Sequence, residues 1–376
     1  MYKIMTAGPT QVRENVRMAR SLETTNPDLD VAFCEFYKET CDLLQELLHS
    51  SGTAYILGGE GILGLEAACA SLTEPGDRVL VLDNGIFGKG FADFAKMYGG
   101  EPVLFTSDYQ KPIDAAELRA FLEKDSDFKY ATVVHCDTPS GVINDVSVIC
   151  PMLAEFGILS VVDSVAGMFG EYVNVDESQI DILCGGSQKA LSAPAGLTML
   201  WVSDKAMAAM ENRKTPIAAF YANILTFKTY YEDKWFPYTM PISDINGLRV
   251  AVDNVKAEPD IVERHAKIAA ATRQAVRKAG LSLYLKAGYA NTVTVIEVPE
   301  GLTDEQILST MRDRYNVMIS GCFDVLAGKV IRIGHMGENA NVDDMAMTLD
   351  AMDKTFADLG YELGCIMKEE FLAAMA

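Results

Sequence analysis

The chain has 376 residues, 49% of them hydrophobic, and 32 basic side chains against 53 acidic ones give a formal charge of −21. That length supports a large and a small domain, and the charge repels phosphodiester backbones and anionic bilayers, so neither nucleic acid nor membrane is an expected partner. No apolar run reaches the roughly 20 residues of a bilayer span, and the opening MYKIMTAGPT lacks the layout of a secretory leader, so the expected location is the cytoplasm.

In chain order, VAFCEFYKETCDLLQELLHSSG (31–52) has apolar residues at helical spacing and ends in a glycine stop. TAYILGG (53–59) then begins a series of β-branched runs, followed by a helical segment (63–77) that Pro75 and Gly76 close. Further strand-like runs are DRVLVLD (77–83), EPVLFT (101–106), YATVVHCD (130–137), LSVVDSV (159–165), DILCGG (181–186) and LTMLWVS (197–203). Their alternation with helices predicts an α/β fold, a mostly parallel sheet covered on both faces. Beyond about Leu248 the texture changes to one long helical run reaching Gly280, two strands (291–298 and 328–334) and closing helices from Asp343. The expected division is a large domain over 1–250, its N-terminal segment near the substrate site, and a small α/β domain over 251–376. The eight cysteines are scattered without a CxxC pair and read as buried free thiols, and the four histidines show no ligand spacing, so no metal site is expected.

Ligands of open parallel sheets sit beyond the carboxyl ends of the strands, so the candidate groups are sought there. YILGGEGILGLEAA passes from strand through Gly58, Gly59 and Gly61 into a helix, a turn that aims backbone N–H groups and a positive helix end at whatever lies above; a purely steric turn is the plain alternative. Gly59, Gly61 and Gly64 satisfy G-x-G-x-x-G, but the motif follows several earlier elements and lacks a convincing acidic partner, which argues against a dinucleotide site. Asp163 ends its strand as a carboxylate that needs a cation or a set of donors, unless it caps a helix. The next strand delivers Lys189 to the same edge, VVHCDTPSG brings Asp137, Thr138 and Ser140, and VLDNGIFGKG brings Phe87; ordinary loop chemistry is the alternative for each. Together they supply an amine for a Schiff base, an acid for a ring nitrogen, an aromatic for stacking and an anion cradle.

With TAGPT, GLEAA, NGIFGKG, DTPSG, VVDSVAG, GSQKALSAPAGL, YTMP and RIGHMG in order along nearly its whole length, the chain resembles the class V aminotransferases of pyridoxal phosphate fold type I, the alanine–glyoxylate and serine–pyruvate group. The resemblance implies that Lys189 is the Schiff-base lysine and proton carrier, that Asp163 pairs with the pyridine nitrogen, and that Phe87 and Val165 pack on opposite ring faces. It places Thr138 at the phenolic oxygen, and Glu60, Gly61, Ile62 and Gln188 around the phosphate end. It assigns Thr239 to a neighbouring subunit's site, hence a homodimer with shared sites, with pairing into tetramers left open. Arg332 becomes the substrate-carboxylate arginine and Gly8 a backbone contact to substrate, the substrates being a small amino acid and a 2-oxo acid.

Two residues depart from the family pattern. Glu60 stands where relatives carry Ser or Thr, and an ionised carboxylate offers a phosphate no donor; Phe236 stands where relatives carry a phosphate-binding tyrosine. Both resemble the pyridoxamine–pyruvate subgroup, in which unphosphorylated pyridoxamine and pyridoxal are substrates. Cys322 and Phe323 occupy a region where that subgroup has another arginine. The competing expectation is a pyridoxal 5'-phosphate holoenzyme in which Glu60 is turned away or protonated while backbone donors hold the phosphate, and the retained Ser187, Gln188 and Thr239 support it. A β-eliminating lyase on the same scaffold, or a dehydrogenase that has no use for Lys189, are further alternatives.

Overall fold

The computed structural model describes residues 2–376. Seven strands form the central sheet: β1 (Thr53–Gly58), β2 (Arg78–Asp83), β3 (Glu101–Thr106), β4 (Tyr130–Val134), β5 (Leu159–Asp163), β6 (Ile182–Gly186) and β7 (Leu197–Val202), in the order β1-β7-β6-β5-β4-β2-β3. Each expected run supplies one strand. All pairings are parallel except those of β7, which runs antiparallel to both β1 and β6. β4, β6 and β7 are buried at every residue, which is why their sequences read as unbroken apolar runs.

Two expected elements come out differently. YATVVHCD stays in the sheet only to Val134, whose carbonyl accepts from Asn144 Nδ2 at 2.8 Å, ending the ladder. Cys136–Asp137 then turns away to pair with Val142–Ile143, which carries Thr138 over the strand ends. The helical run across 248–280 is two helices, Ile242–Lys256 and Ile261–Lys278. Pro259 has no N–H to continue the ladder and disfavours helical backbone at Glu258; the Ile261 N–H closes instead onto the Glu258 carbonyl at 3.1 Å.

The larger core surrounds the sheet, and Trp201 Nε1 on β7 donates to the Leu44 carbonyl at 3.2 Å, pinning helix Val31–Leu47 against it. A second core gathers Ile268, Val276, Leu349, Phe356 and Phe371 around β8 (Val293–Glu297) and β9 (Val330–Gly334). Met5 joins this second core, because Lys3–Ile4 pairs in parallel with Val317–Met318. The N-terminal segment therefore starts in the C-terminal lobe and crosses to the large sheet. All eight cysteines are unpaired, but Cys322 and Cys365, in loops, are partly exposed rather than buried. Among the described residues, no helix is long and apolar enough to cross a membrane.

Candidate active site

A cleft of about 190 Å³ opens at the carboxyl ends of β1, β5 and β6. Lys189, Asp163, Val165, Thr138 and Phe87 line it together with Glu60, Gly61, Ile62 and Gln188, so the structure brings these expected residues into one site.

Lys189 follows β6, and its Nζ donates to the Ala7 carbonyl at 2.7 Å. Burial lowers its pKa and Arg332 adds to the effect, while the charges of Asp163 and Glu60 work against it. A less basic amine is the better nucleophile at neutral pH. Gly8 lies against this side chain with φ of +93°, and a Cβ there would come within 2.4 Å of Nζ, so this position requires glycine. Thr10 fixes the crossing segment to the lysine loop through N–H donation to the Gln188 carbonyl (2.9 Å) and Oγ1 donation to that of Lys189 (3.1 Å).

Asp163 is 5% exposed. Its Oδ1 accepts from the Val165 N–H at 2.9 Å, a turn two residues long, with no helix following, so the helix-cap reading fails. Among the described residues no cation lies within ion-pairing distance. Burial lifts its pKa to about 7, against the pull of the Val165 N–H. A buried acid in this state fits a protonated pyridine nitrogen, which would return it to the ionised form.

Glu60 caps the helix Gly61–Leu72, its Oε1 accepting from the Ile62 N–H at 3.0 Å. Oε2 accepts from Gln188 Nε2 at 2.9 Å. The carboxylate faces into the cleft and holds donors that a phosphate would need. Gln188 Oε1 is buried without a partner. Ser187 is turned out of the site, its hydroxyl donating to the Pro194 carbonyl at 2.7 Å.

Arg332, on β9, is 8% exposed and pairs with no carboxylate among the described residues. Its Nε donates to the Gly321 carbonyl (2.7 Å) and its Nη1 to that of Thr138 (3.2 Å), which sets the guanidinium beside the cleft. A buried cation held only by carbonyls is suited to a ligand carboxylate.

Two residues lie elsewhere. Thr239 is exposed, with Oγ1 donating to Asp28 at 2.8 Å, and does not line the cleft of its own chain. Phe236 is buried among Phe33, Tyr37 and Tyr230, with centroids 5.0–5.7 Å away, so it is a core residue of its own chain. Sequence reasoning missed the Ala7 carbonyl, which no side-chain pattern reveals. It named Asp137 without giving it a role. That buried acid accepts from Ser140 Oγ (2.6 Å), the Ser140 N–H (3.1 Å) and the Phe87 N–H (3.2 Å), tying the loop that carries Phe87 to the one that carries Thr138. The Asp-x-x-Ser turn is the signal for it.

A doubly covered sheet with a buried lysine, a cation-free acid and a helix N-terminus at its strand ends defines an enzyme of pyridoxal phosphate fold type I. The chain belongs to the class-V aminotransferases, whose family profile matches residues 27–322, and it is a transaminase. The pyridoxamine–pyruvate transaminase of Mesorhizobium japonicum is 36% identical over 341 residues, covering 89% of this chain and 86% of that protein. Among solved structures, pyridoxamine–pyruvate aminotransferase from Mesorhizobium loti superposes with a TM-score of 0.94 at 33% identity, over 99% of this chain and 96% of that one. Ureidoglycine–glyoxylate aminotransferase from Bacillus subtilis superposes at 0.96 with 27% identity, over 100% and 98%. The family implies dependence on pyridoxal phosphate chemistry.

Proposed function

We propose that this transaminase moves an amino group between unphosphorylated pyridoxamine or pyridoxal, taken as substrate, and a small 2-oxo acid such as pyruvate, with alanine as the matching amino acid. The observation that carries the reading is the Glu60 carboxylate, which occupies the helix N-terminus and the Gln188 amide inside the cleft. A phosphate dianion brought there would meet a like charge and displaced donors.

The bound vitamer supplies an electron sink for the charge left when a proton departs from the amino acid's α-carbon. Asp163 would keep the ring nitrogen protonated, Phe87 and Val165 would pack on its two faces, and Thr138 would meet its phenolic oxygen. Lys189 would hold the aldehyde carbon as an imine with release of water and, once the amino acid's amine had replaced it there, would be free to carry the proton of the α-carbon. Its amine, parked on the Ala7 carbonyl, is less basic than a surface lysine and stands ready to accept that proton. Arg332 takes the carboxylate, so the reacting carbon is oriented toward Lys189. Thr239 is contributed by the partner copy of a homodimer.

The second reading, a pyridoxal 5'-phosphate holoenzyme of the alanine–glyoxylate or serine–pyruvate type, is favoured by the 0.96 superposition on a glyoxylate aminotransferase. Two side-chain donors near that end are otherwise engaged, Ser187 on Pro194 and Gln188 on Glu60, and the Ile62 N–H is held by Glu60. Mass spectrometry and visible absorbance of the purified, dialysed protein separate the two. Colourless protein that turns yellow with added pyridoxal supports the first reading, and tightly retained pyridoxal 5'-phosphate supports the second.

A further inference from the structure

We propose that Phe323 determines specificity at the amino-acid side of this site: its ring walls the space between Phe87 and Arg332, admitting small uncharged side chains and rejecting a second carboxylate. The inference deepens the reading above and rests on its placement of substrate between Lys189 and Arg332.

The geometry comes from one short turn. Ser320 and Arg332 are bridged through their backbones, and the Arg332 Nε–H donates to the Gly321 carbonyl, so the loop that follows is fixed to the arginine it serves. Cys322 Sγ leans on the Pro139 carbonyl at 3.8 Å, joining the turn to the Thr138 loop. Phe323 opens the turn Asp324–Leu326, and its ring makes two contacts. It meets Phe87, which lines the cleft, edge to face with centroids 6.1 Å apart. It also lies 5.9 Å from the Arg332 guanidinium carbon. Yet the ring is 46% exposed, although burying a phenyl group is stabilising. An aromatic side chain spanning the cofactor-stacking ring and the buried cation, with nearly half its surface uncovered, is suited to pack against a substrate.

The same position decides what the substrate can carry. Arg332 is consumed by the α-carboxylate, and the other charges that act on the adjoining Cys322 thiol are acidic, those of Asp137 and Asp324. A β- or γ-carboxylate entering here would lose water and gain an aromatic ring and like charges, with no donor in exchange. A methyl or hydroxymethyl group meets no such penalty. The favoured partners are therefore monocarboxylic, such as alanine with pyruvate; aspartate with oxaloacetate is disfavoured.

The test is steady-state turnover of L-alanine and L-aspartate with pyridoxal and, separately, with pyridoxal 5'-phosphate as acceptor, for wild type, Phe323→Leu and Phe323→Arg. Wild type is expected to prefer alanine in kcat/KM by about 100-fold or more. Phe323→Leu keeps the ratio within about threefold of wild type, and Phe323→Arg, with Arg332 already holding the α-carboxylate, reduces it by about tenfold or more by offering the second carboxylate a cation; an arginine that instead tightens both amino acids alike, as a second α-carboxylate group would, overturns the inference. Should the arginine variant fail to fold, Phe323→Lys places a flexible ammonium at the same exposed rim and is read the same way. Comparable turnover of both amino acids by wild type, or an unchanged ratio in the cationic variant with alanine turnover intact, overturns the inference and leaves the transaminase reading standing. No turnover of either amino acid with either vitamer removes both.

Discussion

Two side chains carry the proposed chemistry, Lys189 and Asp163, and each is tuned by what the fold withholds from it. Lys189 is deprived of water and given only a carbonyl; replacing it with Ala is expected to lower transamination by about 1,000-fold and abolish any borohydride-stable adduct with pyridoxal, readable by intact-protein mass. Gly8→Ala drives a methyl into that amine, so kcat should fall by about 100-fold while the circular dichroism spectrum is retained; unchanged kcat would show that Lys189 does not need the Ala7–Gly8 corner. Asp163 is deprived of a cation. Its native pKa of about 7 exceeds the unfolded value of about 3.9, so between these limits the native state keeps a proton that the unfolded chain has released. Stability due to this group is therefore highest at low pH and declines as pH rises toward 7. In vitamer-free protein, the stability gained by Asp163→Asn should grow between pH 5 and pH 8 by on the order of 2 kcal/mol. Glu171, also lifted to about 7 by burial, is common to both proteins and cancels from the comparison. A gain that stays constant across that range would mean Asp163 is already ionised.

At the level of elements, Glu60 has two ends to serve: it caps a helix and holds the Gln188 amide, and in the proposed function its charge there keeps phosphate out. Ser caps a helix about as well as a carboxylate, so Glu60→Ser separates the two. Its melting temperature should stay within about 2 °C of wild type, while affinity for pyridoxal 5'-phosphate rises by about tenfold or more and that for pyridoxal changes little. Parallel changes in both affinities would assign Glu60 to structure alone. The strands were legible because a sheet covered on both faces demands unbroken apolar runs, and the cleft residues were legible because they terminate those runs. Harder to read was whatever depends on backbone in space. The antiparallel β7, the departure of the chain at Val134 and the carbonyl that parks Lys189 leave no mark in side-chain pattern. Phe236 shows the same limit: its packing against Tyr37 and Tyr230 could not be read from the absence of a hydroxyl at this place.

Across the whole molecule, the N-terminal segment is the link between lobes: Met5 is anchored in the second core, Ala7 and Gly8 meet Lys189, and Thr10 is bonded to the lysine loop. The stretch near Thr239 is unfinished in a single chain, with Phe220 and Tyr221 exposed beside Tyr238. Such a patch calls for cover, and sedimentation velocity is expected to give a species at twice the 41.0 kDa chain mass or a higher even multiple. A lone 41.0 kDa species retaining full activity would remove Thr239 from the site. The central claim of the proposed function is that the vitamer is a substrate, and product counting decides it. Dialysed enzyme at a small fraction of the substrate concentration is mixed with pyridoxamine and pyruvate and no other amino donor. Many equivalents of pyridoxal and alanine per chain, formed one for one, are predicted; formation of no more than one equivalent, or a requirement for added pyridoxal 5'-phosphate and a second amino acid, would contradict it.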